Sequence, residues 1–230
     1  VKEVQSELYA NLHIRELRLI AVEDAIEEKN YSEAERLCLE AIEKESEQYY
    51  RKSPNDWNNI LFEVYVKAGD TKKQVEQAKR ILFLGNEEFW DVLKRLYVGQ
   101  GVWEEKKPLL LEKLKNGRYM ICYRSILIQE DEKKLLLEAV KEQPFDLFYY
   151  GKFLVKEYPE EIYALCEKYI REKCAQATDR RLYKKVCKDL LQLIKWKGNV
   201  AAKALVEEFK MTYPRRTALL DELQKVEKRL

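Results

Sequence analysis

Asn30-Tyr31-Ser32-Glu33-Ala34-Glu35-Arg36-Leu37-Cys38-Leu39-Glu40-Ala41-Ile42 is the stretch that decides the fold class. Its apolar residues Ala34, Leu37, Cys38, Ala41 and Ile42 stand at i, i+3, i+4, i+7 and i+8, so a helix of 3.6 residues per turn gathers all five on one stripe. Glu33, Glu35, Arg36 and Glu40 fall on the opposite side. Ala34 and Ala41 are small enough to let a neighbouring helix approach closely, and Tyr31 stands beside the turn that precedes the helix.

The same periodicity recurs along the chain. Trp57, Ile60, Leu61, Val64, Tyr65 and Ala68 repeat it, as do Phe89, Val92, Leu93, Leu96 and Tyr97. Ile162, Leu165, Cys166, Tyr169 and Ile170 follow, then Tyr183, Val186, Cys187, Leu190, Leu191 and Ile194. Strand-like alternation is never sustained. Short breaks separate the stripes: Lys29-Asn30, Ser53-Pro54, Gly69-Asp70, Gly85-Asn86, Gly99 to Gly101, Asn116-Gly117, Gln129 to Asp131, Gln143-Pro144, Tyr158-Pro159, Ala177-Thr178, Gly198-Asn199 and Tyr213-Pro214. Gly and Asn close helices, while Ser, Asp and Thr open them. About thirteen helices result, with helix content of about 65–75% and no sheet, far above the ordinary share. Links this short force neighbours to run antiparallel. Turns near residues 30, 69, 100, 130, 158 and 198 bracket the roughly 34-residue tetratricopeptide unit. The expected architecture is therefore all-α: a tetratricopeptide-like α-α superhelix of antiparallel hairpins, one elongated domain over 1–230, read as a piece of a longer chain. Pro108, inside the pattern of Trp103, Leu110, Leu111 and Leu114, should mark a late helix start or a kink.

With 46% hydrophobic and 37% charged residues and only 7 Gly and 5 Pro, the composition is that of a folded helical protein. No apolar run reaches the length of a membrane span and the first residues carry no signal-peptide pattern, so a cytoplasmic protein with no membrane contact is expected. The odd set Cys38, Cys122, Cys166, Cys174 and Cys187 lacks scaffold spacing and reads as reduced thiols packed in the interior. The net charge of +2 conceals a gradient: residues 1–48 carry −7, residues 49–167 balance, and residues 168–230 carry +9. Opposite ends should attract partners of opposite sign.

No catalytic or metal constellation stands out. A Cys or Ser nucleophile needs a positioned base, and the only histidine, His13, sits in an acidic segment. Cys166, Cys174 and Cys187 could cluster, yet two of them lie on apolar stripes. The pairs Glu27-Glu28, Glu104-Glu105 and Glu160-Glu161 read as solvated helix faces, and Gly99-Gln100-Gly101 follows no strand, as a phosphate loop would require. No enzyme, cofactor or small-molecule substrate is expected. Two features suggest contacts. The aromatic doublets place Tyr50, Trp90 and Tyr149 as candidate groove anchors. Arg180, Arg181, Lys184, Lys185 and Lys188 form a basic ridge that either contacts phosphates or is merely solvated. Arg215 and Arg216 join the candidate anion contacts; at the start of the last helix they oppose its dipole, so at least one should clamp that helix to its neighbour through a carboxylate.

Tyr213-Pro214-Arg215-Arg216-Thr217-Ala218-Leu219-Leu220-Asp221-Glu222-Leu223 resembles the closing motif of bacterial SWIM zinc-finger proteins. Ile81 to Asn86, with Trp103-Glu104-Glu105, and Arg180 to Cys187 are similar to the helical region that follows the finger in that family. The finger itself is absent: it needs Cys-x-Cys followed by Cys-x-His, and His13 precedes every cysteine. The resemblance implies a nucleic-acid or protein-interaction role. Together these readings point to a non-enzymatic helical-repeat module that binds a protein partner or the rest of its own chain. The alternative is a nucleic-acid-binding region using the basic C-terminal ridge.

Overall fold

A computed structural model describes residues 7–44 and 56–230, so Tyr50, its neighbour Tyr49 and the Ser53-Pro54 break lie outside the described residues. Thirteen helices of seven residues or more account for the fold, helix reaches 80%, and no strand occurs among the described residues. The chain divides into two compact units, Val1–Ile126 and Leu127–Leu230. The first contains α1 (Arg15–Glu27), α2 (Tyr31–Lys44), α3 (Trp57–Ala68), α4 (Thr71–Phe83), α5 (Phe89–Gly99), α6 (Trp103–Lys115) and the start of α7 (Met120–Gln129). The second contains the end of α7, α8 (Lys133–Glu142), a 3₁₀ turn (Pro144–Asp146), α9 (Leu147–Leu154), α10 (Pro159–Gln176), α11 (Arg180–Lys195), α12 (Asn199–Thr212) and α13 (Thr217–Glu227).

One device closes most of the hairpins. After α1, α3, α4, α5, α7 and α11 the chain takes a single residue into the left-handed region, and the following amide turns back to the helix. After α4, Gly85 has φ +97° and its amide donates to the Leu82 carbonyl at 2.9 Å, while the Asn86 amide donates to Ile81 at 3.3 Å. This Schellman geometry satisfies two carbonyls that the helix end would otherwise leave without donors. Three of the left-handed residues are not glycine: Lys29, Asp131 and Lys197. At the α11 end, Gly198 was the expected terminator, but Lys197 takes the positive φ of 67°. Gly198 is needed for space instead, since a Cβ there would meet Leu193 Cδ1 at 2.6 Å. α3 and α4 are joined by Gly69 and by the N-cap Asp70, whose side chain accepts from the Lys73 amide.

In the first unit, consecutive helices from α1 to α6 pack on one another. Ala34, Leu37, Cys38, Ala41 and Ile42 enter one core with Ala21, Val22 and Ala25 of α1 and Trp57, Leu61, Val64 and Tyr65 of α3. The small alanines lie inside this core, with Ala21 and Ala34 fully buried. Polar ties cross the same layers. The Tyr65 hydroxyl donates to Glu35 Oε1 at 2.9 Å and Lys73 Nζ donates to Oε2 of the same carboxylate at 2.6 Å, linking α2, α3 and α4. Arg18 occupies an apolar-stripe position on α1, is 4% exposed, and donates to the Leu12 and Leu37 carbonyls, each at 2.9 Å. The hook on Leu12 belongs to a turn over residues 11–14 that interrupts the N-terminal helix, a break with no Gly or Pro to announce it. Pro108 lies in the second turn of α6, which starts at Trp103, so the helix start is not late. Only the amide that would reach the Glu104 carbonyl is lost.

In the second unit, α10 packs on both α11 and α12, and α11 packs on both α12 and α13. Contacts between a helix and the next but one are the signature of stacked hairpins. Gly151 on α9 lets the Trp196 ring lie against the backbone, where a Cβ would come within 2.7 Å of it. Trp196 is stacked on Phe148 at 5.7 Å and 23°. Lys173 of α10 pairs with Asp189 of α11, a carboxyl raised by burial and pulled back by that lysine.

Candidate functional site

The aromatic candidates separate. Trp90 is fully buried, edge-on to Trp103 with centroids 5.2 Å apart and planes at 73°. It is therefore a core residue of the first unit and not a groove anchor. The stripe of α5 is rotated by one position: Trp90, Leu93 and Tyr97 are buried, while Phe89 is partly exposed against Phe62. Two adjacent aromatics made the phase of that stripe ambiguous. Tyr149 is 57% exposed, whereas Tyr150 beside it is 4% exposed. Lys152 Nζ lies 4.4 Å from the Tyr149 ring centroid and 4.7 Å from that of Phe153, so this aromatic face already holds a cation.

A groove that the aromatic doublets did not reveal lies in the first unit, where the α4–α5 turn meets the start of α7. It encloses about 420 Å³ and is lined chiefly by Leu84, Gly85, Tyr119, Met120, Ile121 and Cys122, with Glu87 and Arg118 at its edge. Ile121 is 67% exposed and Tyr119 is 41% exposed. The turn builds the wall: left-handed Gly85 brings its backbone onto the Tyr119 ring, with no room for a Cβ, which would lie 2.8 Å from Cδ1. An adjoining depression is lined by Glu76, Lys79, Arg80, Phe83, Leu84 and Lys113, and Lys113 Nζ sits 4.3 Å from the Phe83 ring centroid. An apolar trough thus borders a mainly basic shelf. The turn Leu84-Gly85-Asn86 lies between them.

The cationic candidates also divide. Arg180 Nε donates to Glu222 Oε1 at 2.9 Å and its Nη2 to Asp221 Oδ2 at 3.1 Å, fastening α11 to α13. Lys225 and Arg180 hold the Glu222 carboxyl below its usual range. Arg180 is thus a neutralised structural group and leaves the candidate anion site. Arg181, Lys184, Lys185 and Lys188 are exposed, and none of them makes an ion pair or hydrogen bond among the described residues. Lys195 continues their stripe, was not part of the sequence reading, and is also exposed without such a partner. On other helices several cations pair with acids one turn away: Arg36 with Glu33 and Glu40, Lys79 with Glu76, Lys141 with Glu138, Arg171 with Glu167. On α11 the spacing is like against like. Arg181 with Lys185 and Lys184 with Lys188 each cost the helix about 0.2–0.5 kcal/mol.

Arg216 does clamp the last helix, though to backbone and not to a carboxylate. Its Nη1 donates to the Cys174 carbonyl at 3.1 Å and to the Ala177 carbonyl at 3.0 Å, and its guanidinium lies 4.1 Å from the Tyr213 ring centroid. These carbonyls end α10, where a cation is favoured by the dipole that disfavours it at the start of α13. Of the four acids expected as partners, Glu208 is taken by Arg171, Asp221 by Arg180, and Glu222 by Arg180 and Lys225, while Glu207 is exposed and pairs with neither arginine. Arg215 is exposed, with no ion pair or hydrogen bond among the described residues. Arg216→Ala should lower stability by about 1–2 kcal/mol, discounted for partial exposure. Arg215→Ala should change it by less than about 0.5 kcal/mol. Thermal melting of the two variants checks this; equal shifts would remove the clamp.

None of the five cysteines is in a disulfide, and all five are buried. Burial pushes Cys38, Cys166 and Cys187 up to about 12 and Cys174 to about 11, with Arg216 pulling the last one part of the way back. Thiols so protonated are poor nucleophiles and ligands. No group of three or more His, Cys, Asp or Glu is placed to hold a metal ion, and no helix is long and apolar enough to cross a membrane, among the described residues. No family model, curated protein or solved structure matches the chain.

Proposed function

We propose that this chain is a non-enzymatic helical-repeat interaction module of the cytoplasm that holds a segment of a protein partner. The observation that carries the reading is the groove of the first unit, where Ile121 and Tyr119 remain exposed beside Leu84 on a packed helical scaffold. Exposed apolar side chains gathered in a concave site, with an aromatic at the rim, are what a hot spot offers to a partner. The adjoining shelf, where Arg80 and Lys113 stand beside a Lys79 already paired with Glu76, favours an amphipathic segment that seats apolar anchors in the trough and carries acidic residues at one end. The five reduced, buried thiols support a cytoplasmic setting.

An acidic amphipathic helix of about four turns, with leucines at i and i+4, is the probe. It should bind the full chain more tightly than its charge-reversed counterpart, and Ile121→Asp should weaken it about tenfold or more without lowering the melting temperature. A photo-crosslinker at position 121 then identifies the natural segment. Equal binding of both probe helices, or unchanged binding by Ile121→Asp, would overturn the reading.

A further inference from the structure

We infer that the outward face of α11 is a contact site for the phosphate backbone of a nucleic-acid duplex. This site lies in the second unit and is independent of the groove.

Arg181, Lys184, Lys185, Lys188 and Lys195 stand at i, i+3, i+4, i+7 and i+14, so they occupy one face of α11 about 21 Å long. The two acids nearest to them in sequence are engaged elsewhere. Asp189 is turned inward to Lys173, and the Asp179 side chain caps the helix by accepting from the Leu182 amide at 2.9 Å. On the flank, Asp221 and Glu222 of α13 are held by Arg180 and Lys225. The five cations therefore stand in a line without a salt-bridge partner, Lys188 alone being near enough to Asp189 to feel its charge, and a helix that repels itself along its length is relieved by a polyanion laid along it.

The neighbourhood decides among polyanions. A protein interface has an apolar core within its polar rim. On α11 no large apolar side chain is exposed. A membrane surface would likewise require apolar side chains to enter the acyl boundary, and the face has none. Single strands are gripped by stacking bases on aromatic rings, and the only aromatic of α11, Tyr183, is 6% exposed. A row of cations without apolar or stacking groups fits a regular array of phosphates, and it reads charge without reading sequence. The rival occupant on charge alone is a second copy of this chain offering its acidic helix α1, where Glu16, Glu23, Asp24 and Glu27 are exposed.

The test uses the full chain after nuclease treatment and a high-salt wash, with labelled mixed-sequence duplexes of about 20 base pairs, one DNA and one RNA, followed by fluorescence anisotropy. Four to five neutralised phosphates predict a log–log salt slope of about −4, or a loss of a few hundred-fold in affinity between 50 and 200 mM salt. Lys188→Gln should make that slope shallower by about 0.9. The combined Arg181→Gln, Lys184→Gln, Lys185→Gln and Lys188→Gln variant should nearly abolish it, with an unchanged or higher melting temperature because like-charge pairs are gone. If the combined variant melts lower, the four single variants read the slope instead. The inference is overturned by no binding of the parent to either duplex at 50 mM salt, or by slopes that the variants leave unchanged. It is equally overturned by self-association of the nuclease-treated parent, seen in light scattering and abolished by both the ridge variant and charge reversal on α1.

Discussion

Trp90→Ala should destabilise the chain by about 3–5 kcal/mol, the largest loss of any substitution considered. The indole is fully buried and meets Trp103 edge-on, so truncation removes its transfer energy, leaves a cavity and deprives Trp103 of its partner. For a chain of this length the melting temperature should fall by about 6–20 °C. Denaturant unfolding followed by circular dichroism checks the size of the effect. A groove anchor would behave otherwise: its loss would change stability by no more than about 0.5 kcal/mol and would show in binding. Wild-type stability in the alanine variant would therefore restore Trp90 to the partner surface.

Arg18→Leu should cost about 2–4 kcal/mol even though leucine suits an apolar stripe. Arg18 Nε and Nη1 donate to the carbonyls of Leu12 and Leu37, and Nη1 also reaches Glu40 Oε2 at 3.4 Å. Leucine would lose both charge-assisted bonds, each worth about 1.5–3 kcal/mol, and would leave the part-buried Leu12 carbonyl without this donor, while the Leu37 carbonyl keeps its helical amide and apolar burial restores part of the loss. The turn at residues 11–14 hangs on the same side chain, so amide hydrogen exchange there should accelerate more than exchange in α3. Uniform exchange with unchanged stability would show that Arg18 is a passenger.

Much of this architecture could be read from one dimension. The stripe Ala34, Leu37, Cys38, Ala41 and Ile42 is buried in full, and the breaks at Asn30, Gly69, Gly85, Gly198 and Pro159 separate helices where they were expected. These features are local: an apolar stripe, a cap and a left-handed turn depend on residues within one or two helical turns of each other. The basic face of α11 was legible for the same reason, since i, i+3, i+4 and i+7 spacing sets the direction of side chains on a helix.

The sequence by itself determined that the chain is helical, where most helices begin and end, and which residue types line each stripe. Tertiary structure alone decided which way an ambiguous stripe faces and what each exposed charge meets. Phe89-Trp90 could seat either ring, and the choice fell to Trp103 across the α5–α6 hairpin. Arg180 and Arg216 look like free cations in sequence, yet their partners, Glu222 and the Cys174 carbonyl, are each 42 residues away. Arg18, a charge in an apolar stripe, hinted at a buried partner without naming it. The groove had one local signal, the run Tyr119-Met120-Ile121-Cys122-Tyr123, too apolar all round for one face to absorb. Which of those side chains stays outside depends on where Gly85 brings the α4–α5 turn against Tyr119, and contacts between residues distant in the chain carry no periodicity from which to read them.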